Sequence, residues 1–196
     1  DGDGRTERPL ILSACYAAPP ARSRKQRGRN TASRRGPLGP AGLSELLEII
    51  RNLCAPLAYL HAHDLVHRDL KPANIFVGSR LEAKLVDFGL SSHFAGRGRE
   101  VLEPLGDARG TPAYMAPEQL RSEHVDARAD LYSLGCMLYE LVVGEPPFDG
   151  PTAKDIARCH LDDEPVPPRE RGAPITEPLE RLILARSWGA VLEEWR

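Results

Sequence analysis

Long apolar runs are missing from this 196-residue chain. The most hydrophobic stretch, Leu131 to Val143, is too short to span a bilayer and contains Glu140, so no membrane helix is expected there. Cysteines are few: Cys15, Cys54, Cys136 and Cys159 form no Cys-x-x-Cys pair. That spacing argues against a disulfide scaffold. Cys54 and Cys136 fall on apolar helical faces, which predicts buried free thiols and a reducing, cytoplasmic setting. A strong charge of one sign is also lacking. The net charge is −2 and the pI near 6.3, which gives no overall pull towards nucleic acid or an anionic membrane. Lys25 is the only lysine before Lys71, and no Gly-x-Gly-x-x-Gly precedes His67.

Residues 1–42 form a separate compositional zone. Arg22, Arg24, Lys25, Arg27, Arg29, Arg34 and Arg35 occur without an intervening acid, and Pro and Gly crowd both sides. Such a segment buries little apolar surface and is expected to be disordered; a solvated tail is the plainer reading beside a basic arm that touches nucleic acid or acidic lipid. Leu12-Ser13-Ala14-Cys15 resembles a lipoprotein cleavage box, but the apolar run before it, Leu10-Ile11-Leu12, is shorter than a signal peptide needs.

From Leu43 the pattern changes. Leu43, Leu46, Leu47, Ile50, Leu53, Cys54, Leu57 and Leu60 recur at helical spacing, with Ser44 as the expected N-cap. Pro56 lies within that helix, where a kink is expected. Ile75-Phe76-Val77 and Leu85-Val86 read as two short buried strands of a hairpin. A helix is predicted from Asp126 to about Val143, apolar on most of its circumference and stopped by Gly144 and Pro146-Pro147. Another helix is expected near 151–160, a proline-rich loop over 165–174, and a last helix from about 177–179.

Three signatures then occur in order: His67-Arg68-Asp69-Leu70-Lys71-Pro72-Ala73-Asn74, Asp87-Phe88-Gly89 and Ala116-Pro117-Glu118. An isolated Asp, Asn or Lys in a loop is usually a turn or cap residue; three signatures in register are a different matter. Together they resemble the eukaryotic-type serine/threonine protein kinases, in a bacterial-like form, over roughly residues 41–185. The resemblance implies an α+β, protein-kinase-like fold represented by its mainly helical C-terminal lobe with short β-hairpins. The glycine-rich loop and strand lysine of that family have no counterpart here, so the N-terminal β lobe is expected not to be present in this chain. The implied organisation is a disordered Arg/Pro/Gly-rich segment over 1–42, an incomplete kinase C-lobe over 43–186 and a short tail over 187–196.

The resemblance also implies roles. Asp69 would orient the substrate hydroxyl and accept its proton, Lys71 would reach the transferred phosphate, and Thr111 would bond both. Asn74 and Asp87 would hold magnesium, and with Lys71 they would form the ATP and Mg2+ site. Lys71 and Thr111 go with serine/threonine specificity in the family, so the implied partners are ATP and a protein carrying Ser or Thr. No nucleic acid or membrane partner is implied, and the oligomeric state is open. His67 and Phe88 would pack structurally, and Asp130 would bond the backbone of the catalytic loop. Arg68 usually receives a phosphorylated loop residue; between Phe94 and Gly110 there is no Ser, Thr or Tyr, so Glu100, Glu103 or Asp107 is expected to pair with it. Glu118 is expected to be largely buried, with Arg181 or Arg186 as its partner. A non-catalytic kinase-like interaction module stands as the alternative to an ATP-dependent serine/threonine kinase.

Overall fold

The computed structural model describes residues 10–12, 40–90, 92–93 and 112–185. Within them the chain folds as β1 (Leu10–Ile11), α1 (Pro40–Ala62), β2 (Leu65–Val66), β3 (Ile75–Val77), β4 (Ala83–Leu85), β5 (Ser92–His93), α2 (Pro117–Leu120), α3 (Ala127–Val143), α4 (Ala153–Asp162) and α5 (Glu177–Leu184). Single 3-10 turns occupy Pro72–Asn74, Phe88–Leu90 and Pro112–Tyr114.

Helix α1 starts at Pro40, so Ser44 lies inside it and is not its N-cap. Proline is tolerated in a first turn, because its missing N–H would have no intrahelical partner there. That turn carries no large apolar side chain before Leu43 and so left no periodic trace. The buried stripe is Leu46, Ile49, Ile50, Leu53 and Leu57. Leu47 and Cys54 fall at its edge and are exposed, which corrects the expectation of a buried Cys54 thiol. Cys54 Sγ donates to the Ile50 carbonyl at 3.2 Å instead. The helix runs on through Pro56.

Helix α3 is the centre of the domain. Asp126 caps its start by accepting the Arg128 N–H at 2.9 Å. The Arg128 guanidinium, bonded to the same carboxylate at 2.7 Å, holds Asp126 below its usual range. Gly144 ends the helix at φ 95°, a left-handed conformation that glycine adopts without a Cβ penalty, and its N–H reaches the Glu140 carbonyl at 2.7 Å. Eleven of the 17 residues are buried, so the helix is apolar nearly all round, as a central helix must be. Leu134, Met137, Leu138, Leu141 and Val142 pack with the α1 stripe, Leu70, Ile75 and Ile183. Each such side chain contributes about 1.5–3 kcal/mol on burial. Cys136 is buried here, which pushes its thiol up to about 12.

Strands β3 and β4 pair antiparallel, Ile75 opposite Leu85 and Val77 opposite Ala83. Asn52 of α1 ties their turn down through a 2.9 Å bond from its amide to the Leu81 carbonyl. β1 adds to the other edge, Leu10 opposite Val77 and Ile11 opposite Phe76, and Leu12 is fully buried. These residues fall in the zone expected to lack structure. They are an apolar run within a polar stretch, and edge pairing with burial of Leu12 gives that run a place in the core. The Arg22–Arg35 basic run lies outside the described residues. β2 and β5 form a second, two-stranded antiparallel pair, Leu65 opposite His93.

Candidate active site

β2 delivers the chain to the loop 67–74 above the start of α3. Asp130, in the first turn of α3, is fully buried and accepts three bonds, each of 2.9 Å: from His67 N–H and His61 Nε2 on Oδ2, and from Arg68 N–H on Oδ1. Charge-assisted bonds of this kind are roughly twice as strong as neutral ones. They hold Arg68 at φ 67°, a left-handed conformation that costs a residue with a side chain about 1–3 kcal/mol. The expected role of Asp130 is therefore seen directly. His61, which the sequence reading did not select, completes the set from the last turn of α1.

Asp69 follows. Its Oδ2 accepts from Lys71 Nζ at 2.7 Å and from Asn74 Nδ2 at 3.1 Å, and its carbonyl accepts from Asn74 Nδ2 at 2.8 Å. Both amide hydrogens of the buried Asn74 are thereby directed at Asp69, which leaves Asn74 Oδ1 as the acceptor for anything else. Pro72 and the 3-10 turn to Asn74 bring this about, since Asn74 N–H closes on the Lys71 carbonyl at 2.9 Å. Asp69 and Lys71 keep side-chain exposures of 11% and 21%, so both side chains meet solvent.

The hairpin brings the second signature to the same place. Val86 N–H donates to the Asn74 carbonyl at 3.0 Å, and the Val86 carbonyl lies 3.1 Å from His67 Nε2. Asp87 follows at φ 63° with its side chain exposed. A Cβ on Gly89 would stand 3.2 Å from Asp87 Oδ1, a tight contact that glycine avoids. His67 is fully buried with its ring 5.1 Å from that of Phe88, as expected of a packing residue. Phe88 retains 47% exposure, so it is covered only in part.

Asn74 Oδ1 and the Asp87 carboxylate suit magnesium, which takes one or two protein oxygens and completes its shell with phosphate and water. Among the described residues no three or more His, Cys, Asp or Glu side chains gather as an all-protein metal cage.

Thr111, the loop acids Glu100, Glu103 and Asp107, and Arg186 lie outside the described residues. The turn just after Thr111 is visible and is held from below. Ser133 Oγ donates to the Tyr114 carbonyl at 2.7 Å, and Tyr114 Oη donates to Glu140. His160 of α4 is buried against Tyr132, whose hydroxyl lies 2.8 Å from its Nδ1, and against the Phe148 ring at 4.8 Å. Burial lowers His160 to about 4, opposed in part by a backbone bond to Ala113. Ser133, Glu140 and His160 belong to no sequence motif and lie within helices α3 and α4. Glu118 is half-buried and makes no ion pair with Arg181, which is exposed on α5. Its charge is felt by Arg128 at the start of α3. Arg181 fails as the partner because α5 turns Ile183 into the core, and Arg181 to the surface.

Asp69 thus stands braced by Lys71 and Asn74, and the Val86–Asn74 backbone bond ties its loop to the hairpin that leads into Asp87. The protein kinase domain family matches residues 28–180, and the chain belongs to that family, as a bacterial-like member of its eukaryotic-type serine/threonine branch. It is 42% identical over 146 residues to the serine/threonine-protein kinase PknB of Mycolicibacterium smegmatis, covering 74% of this chain and 23% of that protein. It is 38% identical over 146 residues to PknB of Mycobacterium tuberculosis, with the same coverage. A probable serine/threonine-protein kinase of Streptomyces coelicolor is 37% identical over 138 residues, covering 70% of this chain and 20% of that protein. The chain thus spans about a quarter or less of the length of these relatives. Among the described residues no helix is long and apolar enough to cross a membrane.

Proposed function

We propose that this site transfers the γ-phosphoryl group of ATP to a serine or threonine hydroxyl of a protein. The observation that carries the reading is the bracing of Asp69: Lys71 Nζ at 2.7 Å and Asn74 Nδ2 at 3.1 Å both fall on Oδ2. Among the described residues Oδ1 accepts no bond, which leaves it to orient the incoming hydroxyl and take its proton. Lys71, its ammonium 2.7 Å from Asp69, steadies the phosphoryl oxygens as charge moves across them. Asn74 Oδ1 and Asp87 would hold magnesium, which would neutralise phosphate charge when bound. Thr111 belongs to the same proposal as the hydroxyl that steadies Asp69 and Lys71. The intact set of Asp69, Lys71, Asn74 and Asp87 supports a catalytic role over a purely scaffolding one. Cys54, Cys136 and Cys159 are free thiols, which supports placement in the cytoplasm.

Residues 43–186 make up the catalytic-lobe unit in this proposal, joined from the 1–42 flank by the first turn of α1 at Pro40 and by Leu10–Leu12 at the sheet edge. The test is Asp69→Asn in the intact protein. The side chain keeps its shape and loses its proton acceptor, so kcat should fall about 10²–10⁴-fold with little change in fold. A variant that phosphorylates at the normal rate removes Asp69 from this role.

A further inference from the structure

Asp69 is aimed by the peptide units on either side of it, and one of the groups that clamp them lies in α2. Gln119 is half-buried. Its Oε1 accepts the Ala116 N–H at 3.1 Å, and its Nε2 donates to the Arg68 carbonyl at 2.8 Å, 51 residues away in sequence. The two partners settle the orientation of the amide, since an N–H must meet the oxygen and a carbonyl must meet the NH2. Only a group with both an acceptor and a donor serves both.

Consider the backbone from residue 67 to 70. The peptide unit entering Arg68 is clamped by its N–H on Asp130 Oδ1 at 2.9 Å. The unit leaving Arg68 and entering Asp69 is clamped by its carbonyl on Gln119 at 2.8 Å. The unit leaving Asp69 is clamped by its carbonyl on Asn74 at 2.8 Å. With two soft dihedrals per residue, these three clamps determine φ and ψ of both Arg68 and Asp69. They keep Arg68 in its left-handed conformation at φ 67°. Gln119 holds the middle unit, the one shared by the two residues.

We infer that Gln119 is a positioning residue for Asp69, and that it makes the aim of Asp69 depend on the seating of the 112–118 segment. Gln119 stands on a helix of only four residues, which is the direct continuation of the Pro112–Tyr114 turn that Ser133 and Glu140 anchor. If that segment lifts, the Ala116–Gln119 turn lifts with it, and the carbonyl before Asp69 loses its donor. The inference rests on the role proposed above for Asp69.

The experiment uses three variants in the intact protein. Gln119→Glu keeps the acceptor for Ala116 and loses the donor. Gln119→Lys keeps a donor and loses the acceptor. Gln119→Met keeps neither. Peptide phosphorylation kinetics and amide hydrogen exchange at His67 and Arg68 are measured together. For Gln119→Glu and Gln119→Met, kcat should fall by about tenfold or more, with KM for ATP and peptide within about twofold. Exchange should rise by roughly tenfold, confined to the catalytic loop. Gln119→Lys should recover most of both. Unchanged kcat with unchanged exchange overturns the inference. So does a joint shift of kcat and both KM values with protection lost throughout the domain, which marks a merely structural residue. If the unmodified protein phosphorylates no peptide, the role of Asp69 falls first. The exchange readout then decides Gln119 alone, with unchanged exchange overturning the clamp and a local rise upholding it.

Discussion

Replacing Asp130 by Asn probes the bracket beneath the catalytic loop. The carboxylate accepts from His67 N–H and His61 on Oδ2, and from Arg68 N–H on Oδ1. An asparagine has one acceptor oxygen, so its best orientation keeps the pair on the Oδ2 side and turns its NH2 towards Arg68 N–H. One charge-assisted bond, worth about 1.5–3 kcal/mol, is lost, and a buried donor is left facing another donor, costing about 1–3 kcal/mol. The two surviving bonds also lose their charge assistance. The two terms together come to about 2.5–6 kcal/mol, a large share of the roughly 5–15 kcal/mol that holds a domain together. Urea unfolding of the chain measures it. With a slope of about 2 kcal/mol per molar, the midpoint should fall by about 2 M. Catalysis in the intact protein should fall as well, since one of the clamps that keep Arg68 in its left-handed conformation is then lost. A midpoint within about 0.5 M of the unmodified chain, with normal catalysis, would refute this reasoning.

Two further outcomes concern stability. His160 is buried and lowered to about 4, against about 6.5 in the unfolded chain. The unfolded state therefore binds more protons between those values, and stability is complete above about pH 6.5 and declines as pH falls towards 4, by up to about 3 kcal/mol. Denaturation midpoints measured across that window should flatten in His160→Gln; an unchanged slope assigns the effect to other groups. Asp126→Ala removes the cap of α3 and should cost about 1 kcal/mol, read as a small drop in the thermal midpoint; no drop would mean that Arg128 N–H has found another acceptor.

Features carried by neighbouring residues were readable in the sequence. Asp69, Lys71 and Asn74 lie within one short loop, so spacing alone places them together, and the two strands that bring Asp87 to them are adjacent apolar runs. Helix α3 was readable because Asp126, Gly144 and the apolar run between them mark both ends and the burial. Contacts across the chain were not readable. Gln119 looks like an ordinary residue of a short helix until its amide is seen to meet a carbonyl 51 positions earlier. His61 sits near the end of α1, and nothing in local pattern says that the terminal turn faces Asp130. The apolar spacing of α1 marked the right helix and blurred its edge, because Leu47 and Cys54 flank the buried stripe without entering it. Arg181 matched Glu118 by charge and position along the chain, but the rotation of α5 points it outward.

The most direct measurement is the fate of the γ-phosphoryl group. The intact protein is supplied with γ-labelled ATP, magnesium and matched peptides that differ only in carrying Ser, Thr or Tyr, beside the Asp69→Asn variant. Label should appear on Ser or Thr, depend on magnesium, leave Tyr unmodified, and slow by about 10²–10⁴-fold in the variant. Label on Tyr, or equal transfer by the variant, would contradict the assignment of Asp69 and Lys71.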